Sequence, residues 1–124
     1  MIRGVRGATT VSGNTEEAII SATEELLAKL IEVNHIQPDS VASVFISTTE
    51  DIDAAFPAKA LRKFPGWIYV PVMCMREMQV PNSLNMCVRI MMHVNTGLSQ
   101  EKIIHVYLRE AKVLRPDLDN SLAL

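Results

Sequence analysis

Residues 86–95 read MCVRIMMHVN. In an extended chain Met86, Val88, Ile90, Met92 and Val94 share one face and Cys87, Arg89, Met91 and His93 the other, so the segment reads as a strand that is apolar on both sides. Arg89 in its middle is the informative residue. Burying an unpaired guanidinium among Val, Ile and Met is costly, so it calls for an internal carboxylate, an anionic ligand or an open sheet face. The open face is the commoner outcome; Glu77 is the plausible partner otherwise.

Upstream, residues 1–10 read as a first strand, with Ile2, Gly4, Arg6 and Ala8 on one face. Ser12-Gly13-Asn14 turns the chain, and Asn14 with Glu17 three residues later predicts a helix N-cap. Ile19, Ala22, Leu26, Leu27, Leu30 and Ile31 then recur at helical spacing, and the helix is expected to end near Asn34, before Pro38. Residues 41–49, VASVFISTT, have the β-branched content of a second strand. A polar loop over 48–53 leads to a short helix over 54–63, opened around Pro57 and placing Lys59 and Arg62 on one face.

Residues 67–74 read as an extended run broken by Pro71, followed by a loop that holds Arg76 and Glu77. After the 86–95 strand, Thr96-Gly97 turns, Ser99 caps a brief helical piece, and 103–108 form a last strand with Ile103, His105 and Tyr107 on one face. The order predicts an α+β domain, a mixed sheet with one long helix. Residues 1–118 form one domain, and 119–124, without apolar periodicity, are expected to be a flexible tail.

Composition narrows the function. A net charge of -2 gives no basic footprint for nucleic acid, and no apolar run is long enough to span a bilayer because Arg89 and His93 interrupt the best one. Cys74 and Cys87 make no disulfide framework and the N-terminus has no signal-like apolar run, so a cytoplasmic location is expected. The three histidines lack metal-ligand spacing, so no metal is expected, and Cys74 has no histidine placed to activate it as a nucleophile. Arg6 repeats the strand-arginine pattern, Tyr107 offers a phenolic donor, and Lys59, Arg62 and Arg115 add cations. Such a set suits a small anionic substrate, although for the last three composition alone favours a solvated surface.

The segments RGVRGATTV (3–11), FPAKA (56–60), YVPV (69–72), Cys74 with Glu77, CVR (87–89), HVYL (105–108) and VLRPDL (113–118) resemble, in order and spacing, the monofunctional chorismate mutases with a trimeric pseudo-α/β-barrel fold. That resemblance implies a five-stranded mixed β-sheet packed on one long α-helix, a homotrimer, and active sites at subunit interfaces. A strand apolar on both faces fits this, because one helix covers one face and neighbouring copies could cover the other.

The resemblance further implies rearrangement of chorismate to prephenate with no cofactor. Arg6 and Tyr107 would grip a carboxylate, with Arg115 assisting at the mouth, and Arg89 would meet the ether oxygen as it gains charge. Glu77 and Cys74 would contact the ring hydroxyl, Phe56, Ala58 and Leu114 would wall the cleft, and Lys59 and Arg62 would stand at its entrance. Met73 lies where the family varies and would add a backbone or wall contact. Two other readings share the architecture: a trimeric barrel of the reactive-intermediate deaminase kind, and a non-catalytic binder of related metabolites.

Overall fold

The computed structural model describes residues 1–116. Its elements run β1 (Ile2–Thr10), α1 (Glu16–Asn34), β2 (Val41–Thr48), β3 (Val72–Arg76), β4 (Cys87–Asn95) and β5 (Val106–Tyr107), joined by 3-10 segments at Pro38–Ser40, Pro57–Lys63, Gln100–Lys102 and Arg109–Leu114. The five strands form one sheet in the order β3-β2-β4-β1-β5. β4 is central and antiparallel to both neighbours, whereas the edge strands β3 and β5 run parallel to β2 and β1. The expected α+β class and mixed sheet are therefore found. The expected tail at 119–124 lies outside the described residues, as do the last two residues of the expected domain.

One face of the sheet is covered by α1. Ile19, Leu26, Leu27 and Leu30 are fully buried against Val5, Val44, Ile46, Val88, Ile90 and Met92, the alternate residues of β1, β2 and β4. This burial of a helical stripe on a strand face is the main source of stability. Gly7 allows the closest approach: a Cβ there would lie 2.9 Å from the Val106 carbonyl oxygen and 3.0 Å from a methyl of each of Leu26 and Leu30. Gly7→Ala is expected to cost about 2 kcal/mol, read as a lower urea midpoint with unchanged slope. A wild-type midpoint would mean that β5 and α1 give way freely.

On the other face the last 3-10 segment covers one end, where Ala111 packs with Ala8, Cys87 and Tyr107, and among the described residues the rest of that face carries no element. Register places Arg6, Met91, Phe45 and Met73 in one row across it, and Ala8, Arg89, Ser47 and Met75 in the next. Met73 and Met75 are exposed, and Phe45 packs edge-on against His93 with ring centroids 5.6 Å apart.

Four local expectations are corrected. The helix is capped by Thr15, whose hydroxyl accepts the Ala18 N–H at 3.1 Å. Asn14 instead clasps the loop after β2: its Oδ1 accepts the N–H groups of Asp53 and Ala54, both at 3.0 Å, and its Nδ2 donates to Asp53 Oδ1 at 2.7 Å. A long-range clasp has won over the local capping box.

Second, 67–70 is not extended. The Val70 N–H bonds the Trp67 carbonyl at 3.1 Å, a turn that buries Trp67, and pairing begins where the Val44 N–H takes the Pro71 carbonyl at 2.9 Å. Third, Arg76 ends β3 instead of lying in a loop, and the Glu77 N–H continues the pairing onto the Thr48 carbonyl at 2.9 Å. Fourth, the last strand pairs over two residues only, because side chains replace ladder partners on its entry side: Ile104 N–H bonds Asn34 Oδ1 at 2.9 Å, and Arg6 N–H bonds His105 Nδ1 at 3.0 Å.

Candidate active site

Arg89 stands on the uncovered face, opposite Ala8 of β1 and Ser47 of β2. Its Nε lies 3.0 Å from Glu77 Oε2, an ion pair whose arginine side chain is 44% exposed and whose glutamate is 28% exposed. Enough solvent contact remains for a ligand to reach the guanidinium. Glu77 is itself held in place: Oε2 accepts the Ser47 hydroxyl at 3.3 Å and Oε1 accepts the Met78 N–H at 3.1 Å. The carboxylate thus fixes the guanidinium along its Nε edge.

Arg6 lies on the same face. Its Nε donates to Tyr107 Oη at 3.0 Å. Arg6, Ser47, Phe45, Met75 and Arg89 line a shallow, mainly apolar hollow of about 190 Å³, so the two arginines border one depression. Below it Tyr107 and Cys87 pack with Ala8 and Ala111, and Leu114 closes that small cluster. Burial pushes the Cys87 thiol up, and the adjacent Arg89 charge partly opposes the shift. Arg115 follows the last 3-10 segment, near enough for its charge to bear on His105.

The remaining expected residues form a second group. Phe56, Lys59 and Cys74 line a cavity of about 530 Å³ with Thr48, Ile52 and Arg76. Phe56, Ala58, Lys59, Arg62 and Cys74 border an adjoining one of about 370 Å³. Lys59 Nζ pairs with Glu16 Oε2 at 3.2 Å, where the first turn of α1 favours the carboxylate. Cys74 sits opposite Ile46, a fully buried core residue, and therefore points to the α1 side of β3; burial pushes its thiol up. Arg89 sits opposite Ser47 and points to the other side. Within one chain the edge strand β3 separates the two groups, with Met73 exposed on the Arg89 side.

Several contributors were not singled out from sequence. Ser47 binds Glu77, and Cys87 lies against Arg89 two residues along the same strand, a spacing that was visible. Arg76 Nη1 gathers the Thr49 and Ile52 carbonyls at 2.7 and 3.0 Å, fixing the loop that leads to Phe56, and Asp51 Oδ2 accepts the Met86 N–H at 3.0 Å where β4 begins. No local pattern announces either contact. Among the described residues no cluster of three or more His, Cys, Asp or Glu is arranged to hold a metal, and no helix is long and apolar enough to cross a membrane.

A sequence-family profile described as chorismate mutase type I matches residues 2–118. The chain is 54% identical over 118 residues to the chorismate mutase AroH of Bacillus subtilis (strain 168), covering 95% of this chain and 93% of that one. It is 48% identical over 122 residues to the chorismate mutase AroH of Thermus thermophilus, covering 98% and 99%. A solved chorismate mutase from Clostridium thermocellum superposes with a TM-score of 0.86 at 48% identity, over 89% of this chain and 97% of that one. With the fold and these relatives in agreement, the chain belongs to the chorismate mutase type I family, a family of isomerases.

Proposed function

We propose that the protein rearranges chorismate to prephenate in a homotrimer whose sites form between subunits, and that Arg89 is its principal catalytic residue. The observation that carries this reading is the Arg89–Glu77 pair at 3.0 Å, held on an uncovered sheet face beside a second arginine, Arg6. The reaction is a pericyclic shift. An ether bond stretches while a carbon–carbon bond forms, and no proton transfer or covalent intermediate is required.

Two tasks then fall to the protein. The substrate is a flexible dianion, so Arg6, with its Nε anchored on Tyr107, grips one carboxylate and favours the chair-like conformer in which the reacting carbons meet. Negative charge grows on the ether oxygen as its bond opens, and a guanidinium already oriented by Glu77 stabilises that charge more than it stabilises the ground state. Cys74, its thiol pushed up by burial, stays protonated and serves as a hydrogen-bond donor near the ring hydroxyl instead of as a nucleophile.

Support for the trimer comes from the division of the site. Phe56, Ala58, Lys59, Arg62 and Cys74 lie across β3 from Arg6, Glu77, Arg89 and Tyr107, so one small molecule touches both groups only if a second copy supplies one of them. The uncovered face, with Phe45, Met73, Met75 and Met91, is the apolar surface that such copies would share. The unpaired thiols of Cys74 and Cys87 agree with a cytoplasmic location. The test is the loss of chorismate absorbance on adding purified protein, together with the appearance of prephenate. Conversion no faster than in buffer would reject the reading.

A further inference from the structure

β5 pairs with β1 through Gly7–Val106 and Ala8–Tyr107 alone. One residue earlier, the Arg6 N–H meets an imidazole where a strand carbonyl would normally stand: His105 Nδ1, at 3.0 Å. Two residues further on, in β5, Tyr107 Oη accepts the Arg6 Nε–H, also at 3.0 Å. Side chains two residues apart, at the entry to β5 and within it, therefore hold Arg6 twice, by its backbone and by its guanidinium. An amide N–H can only donate, so Nδ1 must carry no proton and the ring is the neutral Nε2–H tautomer.

The surroundings keep it neutral. Burial lowers the readiness of His105 to take a proton, and the charges of Arg6 on β1 and of Arg115 after the last 3-10 segment lower it further. Tyr107 is its neighbouring titratable group on β5, and among the described residues no carboxylate is a source of its shift. On the α1 side Asn34 is occupied with the Ile104 backbone.

We infer that His105 is the positioning residue of Arg6: its neutral imidazole fixes the strand position from which Arg6 grips the substrate carboxylate, and protonation of the ring releases that hold. The substrate clause rests on the mutase reading; the hold on Arg6 does not. An imidazolium would direct an N–H at an N–H and place a third cation beside two arginines, so the protonated state loses the clamp.

The test compares kcat and KM between about pH 5 and 8 for wild type, His105→Asn and His105→Leu. Wild-type KM rises on acidification to a level roughly five- to tenfold higher while kcat changes little, as for loss of one hydrogen bond that acts through binding. His105→Asn, whose Oδ1 can accept where Nδ1 did and does not titrate, keeps the low KM without the acid limb. His105→Leu shows the raised KM at every pH. An acid limb persisting in His105→Asn, wild-type KM in His105→Leu, or KM falling in acid because the new cation attracts the dianion would each overturn the inference.

Two measurements without substrate separate this from the mutase reading: nitrogen NMR of the His105 ring, expected to show Nε2–H at neutral pH, and Arg6 amide exchange, expected to be faster in His105→Leu. A Nδ1–H ring or unchanged exchange overturns the inference even in an active enzyme. If wild type converts no chorismate, these two still decide the clamp. Stability follows the same linkage. The folded ring binds its proton less readily than the unfolded chain, so stability is full above about pH 6.5 and falls as pH drops below it towards the depressed folded pKa.

Discussion

Arg89→Lys is expected to lower kcat by about a hundredfold or more while the fold survives, the loss typical of removing one preorganised oxyanion donor. The proposed role asks two things of the guanidinium at once: its Nε meets Glu77 at 3.0 Å, and its terminal nitrogens would meet the developing oxygen charge. A lysine ammonium is a single point that can satisfy Glu77 or the oxygen. Pulled toward the Glu77 carboxylate, which Ser47 and the Met78 N–H hold still, it would lie short of the oxygen. In the proposed role the substrate gains that contact mainly at the transition state, so kcat is expected to fall more than KM rises.

Stability should change little, because the Arg89 side chain is 44% exposed and its strand partners are Ala8 and Ser47. Steady-state kinetics with a thermal midpoint on the same sample checks both halves. Wild-type turnover in the lysine variant would remove Arg89 from its role, and a collapsed midpoint would make the loss structural.

Much of this site was legible in residue alternation. Period two in 86–95 put Arg89 on the face opposite Val88 and Ile90, and the same period in β1 put Arg6 with Ala8; the structure confirms both faces. What alternation cannot supply is register. The pairing of Ala8 with Arg89 turns two separate observations into one hollow, and it depends on β1 and β4 meeting across some eighty intervening residues.

Two of the misreadings share one physical cause. At Asn14, Ile104 and His105 a side chain takes over a hydrogen bond that the local pattern assigns to a cap or a ladder, and the partner is 39, 70 or 99 residues away. Pro71 was a legible break, but the side on which the strand resumes was set by Trp67 folding into the core. Cys74 and Arg89 were assigned to one site by resemblance; their opposite orientations across β3 became visible only with the β2–β3 register.

Those opposite orientations lead to the second large effect: co-expression of two separately inactive variants, Arg89→Ala and Phe56→Asp, should restore activity. Arg89→Ala removes the donor from one group. Phe56→Asp places a carboxylate in the other, where it repels a dianion, and Phe56 is exposed enough for the change to spare folding. If each site takes the Arg89 group from one chain and the Phe56 group from its neighbour, an equal random mixture leaves about a quarter of the sites intact in both groups, because each unaltered half is drawn with even chance. Activity should then recover to about a quarter of wild type, from two preparations at least a hundredfold below it. A site built within one chain behaves otherwise, since every copy carries one lesion and mixing restores nothing. Recovery that tracks the mixing ratio assigns the two sides of β3 to different subunits, and a flat baseline across all ratios, with mixed oligomers verified by mass, would defeat the interface site and the trimer argued from it.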